Sequence, residues 1–392
     1  MTSITQDDVI RLTKAQRGDC VSLYVALNSD PQKSNENSIR LKNLLTRAEG
    51  DLVARGMRSV IARDILAPAH QQLAESSPDT AGSRGLALFA CEGYFEPIFL
   101  PESIADQVLV YDSFYVLPLL PIAAIDSLSY YLLAASANGA RLFKGSRRGL
   151  TKVDVPHMPG SQAETLNYQP AGRSLQVHGG VTLGKSDRAT VYHGQGGADD
   201  FRKEERVEYL RTVEHAVTAF LNNEHNPLYF AGVDELFPLY RQISRYPRLV
   251  DEPISGSPDR LRKQDLHTAA WPRVIRQFED TIRSAVAKCI LAASNDPAAH
   301  ELAPVLRAAY AGRIDTLCLA GDREQWGTFD ATKDRITLSK DRRDGDQELL
   351  NLTATTTIAH HGRVFVVPAA ELPELSVVAA AFRYENKKLK AK

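Results

Sequence analysis

Cysteine is scarce in this chain. Cys20, Cys91, Cys289 and Cys318 are the four in 392 residues, widely spaced and never in a C-x-x-C arrangement. That argues against a disulfide-stapled scaffold or a thiolate zinc site and fits a reduced cytosolic compartment. Long hydrophobic runs are missing too. The longest, such as 116–124, contain prolines and are too short to cross a bilayer. The start, MTSITQDDVIRLTKAQRGD, is polar and lacks the apolar stretch of a secretory signal. Net charge is nearly absent: 47 Lys and Arg against 48 Asp and Glu give −1, so any nucleic-acid contact must come from local patches. No repeat of fixed period is visible. No G-x-S-x-G motif supports a hydrolase triad from Ser186, Asp187 and His193. His157, His178 and His193 have no metal-ligand spacing, and no cysteine or paired carboxylate stands near them. The expectation is a soluble cytoplasmic protein with no metal, cofactor or membrane segment.

A hydrophobic fraction of 43% is enough for true cores, and 392 residues predict two or three domains. Periodicity assigns the first domain to residues 1–126. It has helices over 7–15, 38–55 and 59–75, a buried strand over 20–27, a hairpin from 85–91 and 94–100, and a strand over 107–111. Residues 127–262 form a second domain. It opens with two short apolar runs on either side of Asn138-Gly139, a strong hairpin signal, and a third strand is expected over 151–155. From 156 to 197 the chain loses apolar periodicity, and loops of that length are functional or disordered. A strand over 228–233 and a helix over 236–242 follow. Residues 263–384 form a third domain of alternating helices and strands. Its long helix, 270–293, carries Ile275, Phe278, Ile282, Val286 and Ile290 as a buried stripe. Helices over 301–311 and 346–361 are capped by Gly312 and Gly362. Strands are expected over 315–320, 363–367 and 377–384. Residues 385–392 are a basic tail, expected to be disordered.

The chemistry concentrates at 192–221. A glycine-rich tip, His193-Gly194-Gln195-Gly196-Gly197, leads into an amphipathic helix with Val207, Leu210, Val213, Val217, Phe220 and Leu221 on one face. Asp199 and Asp200 suit the positive end of that helix, and Arg202, Lys203, Arg206 and Arg211 give its exposed side cations. The tip is either a finger that approaches RNA or a plain connector; glycines serve both. Arg141, Lys144, Arg147 and Arg148 leave the predicted hairpin. They are equally placed to hold phosphates or to protect a strand edge. His360 and His361 fall at a helix C-terminus, where they serve the last carbonyls.

The stretch HGQGGADDFRKEERVEYLRTVEHAV resembles the peptidyl-transferase-centre loop and helix of archaeal and eukaryotic class-one release factors. The stretches LAPVLRAAYAGRIDTLCLA, IAHHGRVFVV and AAAFRY look like the third domain of release factors and Pelota. In this order the motifs resemble the bacterial archaeo-eukaryotic release factor family, one known member of which is a ribosome-hibernation factor. The resemblance implies an α/β, three-domain release-factor/Pelota-like architecture with a C-terminal ribosomal L-thirty-e-like α/β/α domain. It implies binding in the A site of the bacterial ribosome, with rRNA at the decoding site and peptidyl-transferase centre, and elongation factor Tu as a further partner.

Matching the two family glycines to Gly196 and Gly197 places the catalytic glutamine of the family on Ala198. Alanine keeps a backbone N–H and has no side-chain amide to orient water. Gln195 offers an alternative through a shifted loop. The stop-codon motif has no clean counterpart. The nearest text, with Asn35, Glu36, Asn37 and Arg40, has an acid where phosphate would be gripped. The resemblance therefore implies ribosome binding without peptide release, with His193, Gly194, Gln195, Gly196, Gly197, Ala198, Arg202, Lys203 and Arg206 at the tip. Arg141, Lys144, Arg147, Arg148, Asn35, Asn37 and Arg40 are further RNA candidates. A rescue peptidyl-tRNA hydrolase and a non-ribosomal RNA-binding protein of the same fold remain the alternatives.

Overall fold

The computed structural model describes residues 4–14, 18–28, 34–75, 83–167, 195–343 and 345–384. The chain forms two compact units, residues 1–127 with 278–392, and residues 128–277. The first opens with α1 (Gln6–Lys14), β1 (Cys20–Ala26), α2 (Ser34–Ala54), α3 (Ser59–Glu75), β2 (Gly85–Cys91), β3 (Tyr94–Leu100), β4 (Gln107–Tyr111) and α4 (Leu119–Asp126). The second comprises β5 (Ser129–Ser136), β6 (Gly139–Ser146), β7 (Gly149–Val153), α5 (Gln162–Asn167), α6 (Gln195–Phe220), β8 (Leu228–Gly232), α7 (Leu236–Ile243) and β9 (Ile254–Ser255). The helix α8 (Lys263–Asn295) begins in the second unit and ends in the first. The first unit resumes with α9 (Leu302–Tyr310), β10 (Ile314–Ala320), β11 (Trp326–Asp330), β12 (Arg335–Ser339), β13 (Gln347–Glu348), α10 (Leu349–Ala359), β14 (Arg363–Val367) and β15 (Val378–Phe382).

In the first unit, β3-β2-β1-β4 is an antiparallel sheet. Its central strand β1 is apolar on both faces because both are covered. Val21, Leu23 and Val25 pack with Leu41, Leu45 and Leu52 of α2 and Leu66 of α3. Cys20 and Tyr24 turn the other way, into a core that also holds Leu306, Leu317, Leu349 and Ala354. The period-two alternation of a strand thus divides one apolar run between two cores. The sheet β14-β10-β15 pairs β10 parallel to β14 and antiparallel to β15. Leu317 and Leu319 join the larger core, while Cys318 and Ala320 meet Val286 and Cys289 of α8. Between the first and last parts of the chain, Tyr111 and Trp326 approach to 5.6 Å, and the Arg342 guanidinium lies over both rings.

Several expectations for this unit are corrected. The small antiparallel sheet β12-β11-β13 lies outside the expected elements; its strands are partly exposed and lack clear apolar alternation. The α8 helix is longer than 270–293 and runs through Pro272. That proline lies on its exposed side, where water can reach the carbonyl it leaves unpaired. The buried stripe also changes. Leu266, Ala270 and Val274 are buried in the second unit and Ala285, Val286, Cys289 and Ala293 in the first, while Ile290 is 40% exposed. Gly312 ends α9 with φ +66 as expected. At the end of α10 the left-handed residue is His361, φ +59, and not Gly362. Gly362 is required for another reason: a Cβ there would stand 2.5 Å from the Thr357 methyl.

The second unit has three layers. Its sheet runs β7-β6-β5-β8-β9, with β5, β8 and β9 parallel and the β5–β6 and β6–β7 pairs antiparallel. Tyr131, Leu133 and Ala135 face α6 and α7, and Tyr130, Leu132 and Ala134 face the first half of α8. The Tyr130 ring lies directly against Gly145, where a Cβ would come within 2.3 Å of it. Gly145→Ala is therefore expected to destabilise the protein by about 1–3 kcal/mol, read from denaturant midpoints; an unchanged midpoint would show that the ring moves aside freely.

Candidate functional site

The region singled out by the sequence lies in the second unit. The helix α6 spans Gln195–Phe220, so it begins three residues earlier than expected and takes in Gln195, Gly196 and Gly197 of the glycine tip. Gln195, Gly196, Gly197 and Ala198 form its opening turn, where backbone N–H groups have no intrahelical acceptor. His193 and Gly194 lie outside the described residues, as do the side chains of Gln195, Ala198 and Arg202. The helix is seated by Tyr209, Leu210, Val213, Val217 and Leu221, all buried. Phe220, expected on that face, is 39% exposed, and Glu214 is buried instead. The Glu214 carboxylate accepts hydrogen bonds from the Arg245 backbone N–H and the Thr218 hydroxyl, both at 2.8 Å. The only hint of this in the sequence is its place beside Val213, within the apolar stripe.

The cations of α6 are not all uncommitted. Lys203 is exposed. Arg206 pairs with Glu235 at 3.0 Å, and Arg211 pairs with Glu208 at 3.4 Å. Both pairs are solvent-accessible and contribute little to stability, so a phosphate can compete for either arginine. On the hairpin, Lys144 lies 5.7 Å over the Tyr131 ring. Arg141 donates to the Pro258 carbonyl and stacks over Phe143. Arg147 and Arg148 also have partners within the protein. Near Arg141, Asn138 donates to Asp259 at 2.7 Å. Hydrogen bonds from Ser136 and Asn138 hold the Asp259 carboxyl below its ordinary range. Arg141 is thus part of the tie between the β5–β6 turn and the 256–259 loop, whereas Lys144 stays at the surface.

The residues expected on the decoding side belong to the first unit. The structure describes Asn35 only as part of α2. Asn37 is 2% exposed and turns both ends of its amide inward: it accepts from the Asn28 N–H and donates to the Asn28 carbonyl, each at 2.9 Å. Arg40 donates to the Ala26 carbonyl at 2.9 Å and approaches Asp106 at 3.5 Å. Asn37 therefore closes the connection between β1 and α2, with both ends of its amide used inside the fold. Among the described residues, no group of three or more His, Cys, Asp or Glu is placed to hold a metal ion, and no helix is long and apolar enough to cross a membrane.

Comparison with known proteins bears on this same unit. Residues 130–276 match the family described as Bacterial archaeo-eukaryotic release factor family 7, a span that nearly coincides with the compact unit 128–277. No curated protein matches the chain. Among solved structures, it is similar to the ribosome-bound archaeal Pelota with ABCE1 at 13% identity and a TM-score of 0.38, covering 99% of this chain and 96% of that one. Pelota of Archaeoglobus fulgidus gives 13%, a TM-score of 0.33 and coverages of 99% and 95%. The archaeal translation termination factor aRF1 gives 13%, a TM-score of 0.24 and coverages of 97% and 99%. With TM-scores this low, the matched family segment is the finding that bears on function.

Proposed function

We propose that the protein is a ribosome-binding translation factor of the release-factor type. It occupies the A site of idle or stalled bacterial ribosomes as a hibernation factor and does not release peptide. The observation that carries this reading is the family-matched unit, whose α6 opens on Gln195-Gly196-Gly197-Ala198. The opening turn presents backbone N–H groups where RNA would be met. Ala198 has no side-chain amide to hold a water against a peptidyl-tRNA ester. Arg202, Lys203 and Arg206 follow the tip at the spacing of one helical turn and supply cations for phosphate. Lys144, Arg147 and Arg148 extend that contact. In this reading residues 1–126 lie toward the decoding site, and residues 263–384 toward elongation factor Tu.

Co-sedimentation with vacant 70S ribosomes across a salt series, with peptide release followed in the same samples, tests the proposal. Salt-sensitive binding without release is expected. Replacing Arg202, Lys203 and Arg206 together by alanine should weaken binding roughly tenfold and flatten its salt dependence. Unchanged affinity would remove α6 from the interface. Release abolished by Gln195→Ala would replace this reading with a peptidyl-tRNA hydrolase. Binding to free RNA in preference to ribosomes would replace it with a non-ribosomal RNA-binding protein.

A further inference from the structure

A cavity of about 570 Å³ opens between α6 and the turn at Pro156-His157 that follows β7. Its size falls in the range of small-molecule sites, roughly 300–1,000 Å³. Glu208, Arg211, Thr212 and His215 line it from α6, at steps of three and four residues that place them on one face. His157 lines it from the turn, and Phe220 supplies an aromatic ring at 39% exposure. None of these residues belongs to the tip through which the ribosome reading operates.

Two observations set this cavity apart from an ordinary surface groove. The first is a set of exposed donors, on His157, Arg211 and His215, that can exchange water for a ligand. Among the described residues neither His157 nor His215 has a hydrogen-bond partner, and Arg211 has only the long contact to Glu208 at 3.4 Å. By contrast, Thr212 is satisfied, donating to the Glu208 carbonyl at 3.1 Å. The second is backbone conformation. His157 has φ +61, a left-handed state that disfavours any side chain and that glycine would adopt freely. A turn that served connection alone would be better made with glycine. Conformational strain of this kind concentrates at sites where a side chain is needed in place.

We propose that this cavity binds a nucleoside phosphate. The Arg211 guanidinium and the imidazole N–H groups of His157 and His215 donate to the phosphate oxygens, an arrangement of planar donors suited to that anion. The base lies against the Phe220 ring, as bases do on exposed aromatics. Glu208 accepts from the ribose hydroxyls. The volume is sufficient for one nucleotide. The ligand is therefore a free mononucleotide or a single unpaired nucleotide of an RNA.

Calorimetric titration of the full-length protein with adenosine 5′-monophosphate (AMP) tests the proposal. Saturable binding is expected, tighter than for adenosine or inorganic phosphate alone. Arg211→Ala and His215→Ala should each weaken it about tenfold. His157→Gly should weaken binding while the thermal midpoint holds or rises, because the substitution relieves the strained φ. A merely structural histidine would give the stability gain with binding unchanged. The sources are separated by a short RNA with one unpaired nucleotide. Competition with AMP that requires Arg211 and His215 assigns the site to RNA, and AMP binding that the RNA does not disturb assigns it to a free nucleotide. Failure of wild-type protein to bind either ligand, or equal binding by wild type and all three variants, overturns the proposal. The titration uses protein without ribosomes, so this inference and the ribosome reading can fail independently.

Discussion

Replacing Asn351 by alanine is expected to remove about 3–5 kcal/mol from the stability of the unit built from residues 1–127 and 278–392. Asn351 is 2% exposed near the start of α10. Its Oδ1 accepts from the backbone N–H of Val116 at 2.9 Å and of Leu117 at 3.2 Å, and its Nδ2 donates to the Phe114 carbonyl at 3.0 Å. One side chain thereby satisfies three buried backbone groups from a segment more than two hundred residues earlier. Alanine would leave all three without partners inside a core, and an unsatisfied buried polar group costs about 1–3 kcal/mol. Partial access of water keeps the total below the sum. Equilibrium denaturation should show a lower midpoint with an unchanged slope. A loss under about 1 kcal/mol would mean that the 114–117 segment finds other partners.

The second large effect is a pH dependence centred on Glu348, three residues away. Its carboxyl caps α10, accepting from the Asn351 N–H and, at 2.9 Å, from the Gln325 N–H. Burial outweighs these donors and raises its pKa from the ordinary 4.5 to about 7, with Glu324 adding repulsion. The folded state therefore binds this proton more tightly than the unfolded chain does. The stabilisation is fully present below pH 4.5 and is lost as pH rises through 7. The shift corresponds to about 3 kcal/mol between those limits. Glu348→Gln cannot ionise, so the stability difference between wild type and variant isolates this one group. That difference should fall by about 3 kcal/mol in favour of the variant from pH 4.5 to pH 8. A difference that stays flat across the window would show that Glu348 ionises in the fold as it does in water. Asn351 and Glu348 share a helix start, so their substitutions are expected to be non-additive.

Neither residue could be picked out of the sequence. The stretch around them, Glu348-Leu349-Leu350-Asn351-Leu352-Thr353, reads as the start of a helix, and nothing local points to partners at 114–117. Polar groups buried by distant partners leave no periodic mark. Elements with strong local signals were legible. The apolar run 20–26 gave β1, the Asn138-Gly139 signal gave the β5–β6 hairpin, and Gly312 marked the end of α9. The weaker alternation of β11 and β12 hid a whole sheet. On α6 the apolar stripe was readable at Leu210, Val213 and Val217, whereas Val207 is half-buried, Phe220 is exposed, and Tyr209 and Glu214 are buried without having been expected there. Its polar face was not: Glu208, Arg211, Thr212 and His215 look like any solvated face until the turn at His157 is brought opposite them. Asn37 shows the converse. A short polar residue in a polar stretch suggests a surface contact, yet its amide is consumed by the Asn28 backbone.

The division of the chain into two units has a consequence for its synthesis. Residues 128–277 are contiguous, so that unit can fold as soon as its own last residues emerge. The other unit is assembled from the two ends of the polypeptide. Until α9, β10 and α10 have been made, the core facing Tyr24, Phe89 and Phe114 lacks Leu306, Leu317 and Leu349. The intervening segment adds only logarithmically to the closure entropy, so the completed state is not penalised heavily. The delay is kinetic: contacts of such long sequence separation form late and leave apolar surface exposed during translation. A nascent chain stalled before β10 would therefore carry a finished central unit beside an unfinished one, and it is the unfinished one that would engage chaperones.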